Sequence, residues 1–235
     1  MARSPRQFVA GYPAHVTHRG NNRQRIFHCE GDYRFLWKCI KEAADEHQVA
    51  VNAYVFMSNH VHLLLTPEDP WAISRTMHSA SRRYAGYFNK RYERTGTLWE
   101  GRFHASLVKT DSYFLTCHRY IDQNPLRAGL ARVPEQYPWS SHRFYATGEV
   151  NSLVTAHHAI SVLGESEQSR HRAYRDLVSR PVRDADLDCI RKACRSGRPI
   201  GEDVPRVGRP SKKIVPDTIS DLYLTPFSGG AGDGA

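Results

Sequence analysis

The sequence predicts an α+β fold, and three observations support this. Predicted strands and helices follow one another as strand, helix, strand, strand, helix, strand, helix. Two strands are separated only by Ser58-Asn59, which is typical of a β-hairpin. The helical stretches carry apolar residues at steps of three and four, the spacing of amphipathic helices. A mainly antiparallel sheet with helices on one face satisfies this order, and a ferredoxin-like βαββαβ sandwich is its simplest closed form.

Local signals set the bounds of these elements. The predicted strands cover residues 13–20, 49–57, 60–66 and 103–110. A first helix opens at Gly31-Asp32, and a second covers 71–91. The last helix follows a cap site at Thr110/Asp111/Ser112 and must end by Pro125, because proline lacks the amide hydrogen that a helix interior needs.

The chain has 235 residues, enough for one domain with an extension. Residues 1–150 carry the predicted α+β domain. Residues 151–195 are predicted to form a helical extension. Residues 196–235 contain Gly-Arg-Pro twice and end in SGGAGDGA, a composition that predicts a disordered basic tail.

The composition excludes several classes of protein. No apolar run approaches the roughly 18 residues of a membrane span. The opening residues lack the apolar region of a secretory signal, so we expect a soluble protein of the cytoplasm with no membrane partner. The five cysteines are odd in number and contain no CxxC pair, which argues against both a disulfide framework and a cysteine zinc site.

Positive charge is concentrated in one segment. The net charge is +9, and residues 75–109 alone hold eight basic and two acidic residues interleaved with aromatic rings. Basic groups follow phosphates and aromatic rings stack on unpaired bases, so this pattern predicts binding to single-stranded nucleic acid. Some of these rings, on the second helix, also fit its core face. The candidate contacts in this segment are Arg82, Arg83, Trp99 and Arg102.

A polar loop follows the first strand. It reads Arg19-Gly20-Asn21-Asn22-Arg23-Gln24-Arg25. Arg19, Asn21 and Gln24 are candidates for reading base edges, because amide and guanidinium groups can pair with them. An ordinary solvated turn is the alternative.

The hairpin carries His60-Val61-His62. Alternate residues of a strand share a face, so the two imidazoles are predicted side by side. Such a pair can bind a divalent metal if a third ligand is available. Two polar residues on a solvated strand face are the alternative.

Tyr120 and Asn124 lie four residues apart in the last helix, so one face presents a phenol and a carboxamide. Tyrosine can act as a covalent nucleophile, but its pKa near 10 requires help from a base or a metal-polarised electrophile. The alternative is a core tyrosine, and Tyr113 lies on the same face seven residues earlier.

Four separated blocks resemble one known family. His60-Val61-His62 is similar to the His-hydrophobic-His motif of the HUH-class single-strand DNA transposases. Residues 119–129, which include Tyr120, resemble the tyrosine helix of their REP-associated branch. Residues 15–27 and 98–103 also resemble that branch, and the blocks together span roughly residues 8–145.

The resemblance implies a ferredoxin-like nuclease domain and a divalent cofactor, Mg²⁺ or Mn²⁺, on His60 and His62. It implies that Tyr120 becomes linked to a 5′-phosphate of single-stranded or hairpin DNA. It also implies a side-chain oxygen of the tyrosine helix as third metal ligand, for which Asn124 matches while the adjacent Gln123 stays open. The C-terminal sequence departs from the family pattern, which puts a role of that region in DNA specificity in doubt.

The predicted function is therefore a metal-dependent single-strand DNA endonuclease and strand transferase acting on hairpin-forming repetitive DNA. A catalytically inactive nucleic-acid-binding protein on the same fold is the main alternative. A metallohydrolase with a water nucleophile is another, although no further His/Asp cluster is evident at ligand spacing. The sequence leaves open which DNA sequence is bound, which metal is used, and whether the protein is a monomer or a homodimer. It also leaves open whether the protein moves DNA or only processes repeats.

Overall fold

A computed structural model describes residues 8–200 of the chain. The strands are β1 (Ala14–Arg19), β2 (Val49–Met57), β3 (His60–Pro67) and β4 (His104–Leu107). The helices before and after β4 are α1 (Glu30–Glu46), α2 (Ala72–Arg91), α3 (Asp111–Asp122), α4 (Asn124–Arg127), α5 (His142–Thr147), α6 (His158–Ser161), α7 (Glu167–Ser179) and α8 (Asp184–Ser196).

The four strands form one antiparallel sheet in the order β2-β3-β1-β4. This order, with α1 and α2 as the two crossovers, is the ferredoxin-like arrangement, so the predicted fold class is confirmed. The strand β1 is central, and its Thr17 lies opposite His62 of β3 and His104 of β4.

Helices cover both faces of the sheet, whereas the sequence analysis placed them on one. Val16 and Leu63 pack on one side in a core that includes residues of α1 and α2. Leu64 and Val55 pack on the other side in a second core with residues of α3, α5 and α7. The reason lies in the strands, because β2 and β3 are apolar at successive positions and would leave apolar side chains in water if one face were open.

The helix α3 begins within the predicted cap site and ends at Asp122, three residues before Pro125. The Thr110 hydroxyl accepts the backbone N–H of Tyr113 at 3.3 Å. Pro125 lies in the first turn of the short helix α4, where its missing N–H would have no partner in the helix. Asn124 is therefore the first residue of a new helix.

The predicted helical stretch after residue 150 consists of three helices, of which α8 packs against β1, β4 and α3. Just beyond it, Ile200 is buried and pairs with Val108, donating to Leu107 O at 2.8 Å. The rest of the predicted tail, 201–235, lies outside the described residues. Each helix within residues 8–200 is too short or too polar to span a lipid bilayer.

Candidate active site

The two histidines of the hairpin share one face of β3, as their spacing predicted. Their ring centres are 4.9 Å apart and the rings are nearly perpendicular. His62 is buried, whereas His60, nearer the hairpin turn, is partly buried. The register places Thr17 beside His62 and Arg19 beside His60. The pair therefore lies on the sheet face that α3 and α8 cover.

Hydrogen bonds orient both imidazole rings. His60 Nδ1 lies 2.7 Å from Asn59 Oδ1. His62 Nδ1 lies 2.9 Å from His15 Nε2 and 3.2 Å from Thr17 Oγ1. With both Nδ1 atoms engaged in this way, Nε2 is the atom of each ring that remains for a metal ion.

Burial keeps the two histidines neutral. It lowers the pKa of His60 to about 4, with a smaller contribution from the charge of Arg19. It holds the pKa of His62 well below its ordinary value, and the neighbouring His15 and His60 act in the same direction. Neutral imidazole is the form that coordinates a metal, so the donor set fits a divalent ion.

Tyr120 meets His62 at this face. Its side chain is buried, and its ring packs edge-on against the rings of His62 at 5.4 Å and His15 at 5.7 Å. Burial raises the pKa of the phenol, and Cys194 adds to this rise. The positive charges of Arg127 and Arg191 oppose it. Tyr113, the alternative tyrosine, lies seven residues earlier at the edge of the second core.

Asn124 and Gln123 differ in how their carboxamides are used. Asn124 Nδ2 donates to Tyr120 O at 2.9 Å. Gln123 Nε2 donates to Val178 O at 2.8 Å, and Gln123 Oε1 accepts from Val182 N at 3.3 Å. The Gln123 oxygen is thus engaged in joining α3 to the segment between α7 and α8, which favours Asn124 as the residue able to offer an oxygen.

Three residues of the site were missed by the sequence analysis. His15, on β1, contacts His62 directly. Two come from α8: Arg191 acts to lower the pKa of Tyr120, and Cys194 Sγ lies 3.2 Å from His15 Nδ1. The only signal for His15 was its place in the resembling block of residues 15–27.

A cationic cleft of about 590 Å³ opens beside His60. Arg19 and Arg102, both predicted contacts, line it together with Arg23. Glu100 also lines it and offsets part of that charge. The arrangement can hold a phosphodiester close to the histidine pair.

An apolar cavity of about 480 Å³ adjoins this cleft, because Arg102 lines both. Arg82 lies on its rim. Trp99 also lines it, but the indole is partly buried, stacks on His18 at 4.1 Å and donates from Nε1 to Ser81 O at 3.0 Å. Trp71, on the same cavity, is 41% exposed and was not singled out from the sequence.

The remaining predicted contacts lie elsewhere or are held by the protein itself. Gln24 Nε2 donates to Leu98 O at 3.1 Å, and its Oε1 accepts from Arg94 Nη2 at 2.7 Å. Arg83 forms an ion pair with Glu42 on the outer side of α1 and α2. The Asn21 backbone N–H donates to Leu98 O at 2.8 Å, which joins this loop to the segment before β4.

Within the part of the chain that the structure describes, one His/Asp cluster is assembled that the sequence spacing did not indicate. Asp111, His157 and His158 place potential ligand atoms within 4.8 Å of one another. His158 Nε2 lies 2.9 Å from Asp111 Oδ2, and His157 Nδ1 accepts the Ala159 N–H at 3.2 Å. Asp111 begins α3 nine residues before Tyr120, about 14 Å away along the helix, so this cluster is separate from the His60/His62 pair.

Comparisons with known proteins bear on the family and the fold of this chain. One solved structure, a REP-associated tyrosine transposase bound to a REP hairpin, has 21% identity and a TM-score of 0.50 and covers 67% of this chain and 93% of its own. A putative transposase from Deinococcus radiodurans R1 has 20% identity and a TM-score of 0.36 over 52% of this chain and 97% of its own. No curated protein matches. The sequence model of the IS200-like transposases matches residues 8–124, about half of the chain and the part that carries β1 to α3. The chain belongs to the IS200-like transposase family.

Proposed function

We propose that this protein is a metal-dependent, single-strand-specific DNA endonuclease and strand transferase of the REP-associated branch, with hairpin-forming repetitive DNA as its substrate. The observation that carries the proposal is the edge contact of Tyr120 with His62, at 5.4 Å, next to His60. A nucleophile and two neutral metal ligands on one buried face are the groups that phosphodiester transfer needs.

His60 and His62 would hold the ion through Nε2, and Asn124 is the proposed third ligand. A bound Mg²⁺ or Mn²⁺ supplies orientation and charge stabilisation to the phosphate. The phenolic oxygen of Tyr120 attacks phosphorus as the bond to the 3′ oxygen breaks, which leaves a 5′-phosphotyrosine and a free 3′-hydroxyl. Arg127 and Arg191 favour loss of the phenolic proton. Attack by a 3′-hydroxyl on the tyrosine ester reverses the step and rejoins strands without ATP.

The charged surfaces support a DNA partner. Arg19, Arg23 and Arg102 line the cleft beside His60, where they can neutralise phosphates on both sides of the scissile bond. Arg82 extends this positive surface past the apolar cavity. The solved relative is bound to a REP hairpin, which supports the same class of ligand here.

A covalent-capture experiment tests the proposal. Single-stranded hairpins with randomised flanks, labelled at the 3′ end, are incubated with the full chain and Mn²⁺. Because the 5′-phosphate stays on the protein, the 3′ label should migrate with it under denaturing conditions, and a 5′ label should not. Tyr120→Phe should abolish the adduct, since it removes one hydroxyl with little change in packing.

Tyr113→Phe is the matched control and should form the adduct normally. EDTA should prevent it. Retained DNA binding without an adduct from the unmodified protein would indicate the inactive binding protein instead. Repeated cleavage without any linkage would indicate a water nucleophile.

A further inference from the structure

We infer that His15 is a positioning residue for His62, holding the proton of that imidazole on Nδ1 so that the Nε2 lone pair faces the metal. The inference deepens the proposed function and rests on it for the identity of the ligand. It concerns a side chain on a different strand, 47 residues away in the sequence.

The geometry of the contact sets the direction of the hydrogen bond. An imidazole that coordinates through Nε2 must carry its proton on Nδ1 and donate it to an acceptor. His15 Nε2 lies 2.9 Å from His62 Nδ1 and can accept that proton. His15 then carries its own proton on Nδ1, which lies 3.2 Å from Cys194 Sγ, a weak acceptor.

The pair is held rigidly. Both histidines are buried, and their ring planes are 19° apart with centres at 5.1 Å. The strand β1 is paired on both sides, with β3 and with β4, so the backbone under His15 cannot shift without breaking the sheet. A rigid acceptor limits rotation of the His62 ring as well as its tautomer.

Thr17 is the competing acceptor. Its Oγ1 lies 3.2 Å from the same His62 Nδ1 and 3.8 Å from Cys194 Sγ. The hydroxyl can donate to the cysteine and accept from His62 at the same time. His15 is the nearer of the two, so the inference assigns it the larger effect, and a pair of variants separates them.

The experiment measures Mn²⁺ affinity of the DNA-free full chain by electron paramagnetic resonance, and the His62 tautomer by ¹⁵N NMR of the metal-free chain. His15→Phe keeps a ring of similar size and removes the acceptor. It should weaken Mn²⁺ binding by about 10- to 100-fold, the usual cost of losing an outer-shell partner. It should also move His62 from the Nδ1–H tautomer towards a mixture. His15→Gln can present its side-chain oxygen near the position of Nε2 and should restore most of both properties.

His118→Gln is the matched control. His118 is also fully buried, but it bonds to Tyr174 OH at 2.9 Å, away from His62, so Mn²⁺ affinity and the His62 tautomer should not change. Should His15→Phe fail to fold, His15→Leu, which also lacks an acceptor, is compared with Thr17→Val, and a larger loss in Thr17→Val would make the threonine the positioning residue. Unchanged Mn²⁺ affinity and tautomer in folded His15→Phe would overturn the inference. If the unmodified chain binds no Mn²⁺, the proposed function fails, and the tautomer measurement alone then decides the role of His15.

Discussion

The guanidinium carbon of Arg127 lies 4.6 Å from the centre of the Tyr120 ring, and Arg127 Nη2 donates to the Tyr120 carbonyl oxygen at 2.6 Å. One side chain thus fixes the end of α3 and places a positive charge against the phenol. Because burial raises the pKa of Tyr120, this charge acts in the direction that the proposed nucleophile needs.

Replacing Arg127 by leucine should slow formation of the Tyr120–DNA adduct. A partly desolvated cation–π contact contributes about 0.5–2 kcal/mol, which corresponds to roughly 2- to 30-fold in rate. The pKa of Tyr120 should rise further without the cation. The rate of adduct formation increases as the phenol loses its proton, so this increase should occur at higher pH in the variant. Adduct formation followed against pH measures both effects. Arg132→Leu, on a nearby exposed arginine, should change neither, and equal effects of the two variants would contradict the prediction.

Asn124→Ala and Gln123→Ala should affect different properties: the first the Mn²⁺ requirement of cleavage, the second the stability of the fold. Gln123 is buried and its amide joins α3 to residues 178–182, so its loss should lower the free energy of unfolding by about 1–3 kcal/mol. Asn124→Ala should keep most of the stability and raise the Mn²⁺ concentration needed for cleavage. Urea unfolding and a Mn²⁺ titration of cleavage measure the two properties. A higher Mn²⁺ requirement only in Gln123→Ala would assign the third ligand to Gln123.

Arginines of the basic segment should differ in their effect on DNA affinity. Arg102 lines the cleft beside His60, whereas Arg83 is ion-paired with Glu42. Arg102→Ala should reduce hairpin affinity and lower the slope of log affinity against log salt by about one, because one phosphate contact is lost. Arg82→Ala should act similarly and Arg83→Ala much less. Salt titrations of binding give the slopes. Equal slopes for Arg82→Ala and Arg83→Ala would show that the ion pair of Arg83 with Glu42 does not keep Arg83 from contacting phosphate.

The pH dependence of stability should report on His142. Burial alone would lower the pKa of this side chain, but Asp122, 2.7 Å from Nδ1, and Glu135 outweigh it and raise the pKa. A raised pKa contributes stability below the unfolded value of about 6.5 and loses it as the pH rises through the folded value. The stability difference between the unmodified chain and His142→Gln should therefore shrink as the pH rises. Urea unfolding from about pH 5.5 to pH 9 measures it. A constant difference would mean that folding leaves the pKa of His142 unchanged, and a difference that grows with pH would mean that folding lowers it.

Features with a short sequence period were predictable. The hairpin bounds and the shared face of His60 and His62 depend only on the alternation of side chains along a strand. The four-residue spacing also brings Asn124 back to Tyr120, although the helix breaks between them. In these cases the deciding interactions lie within a few residues of each other.

Features that depend on distant pairing were not predictable. Trp99 follows a flexible-looking turn, yet a bridge between Gly20 and Trp99 ties that loop to the end of β1 and brings the indole onto His18. The expectation that Trp99 is a free stacking platform stays a prediction, and the more exposed Trp71 competes for that role. On the second face of the sheet, α8 packs against β1, and these two elements lie near opposite ends of residues 8–200.

The contact between Cys194 and His15 joins residues 179 positions apart, whereas His62 and His15 are 47 apart. At about 5–20 residues per second, a ribosome needs on the order of 10–40 s to make the chain between His15 and Cys194. The ribosome therefore makes His15 and His62 well before it makes α8, the helix that packs against β1 and β4 on this face of the sheet. The order of synthesis gives the site a period in which its proposed metal ligands, His60, His62 and Asn124, have been made and the helix α8 has not.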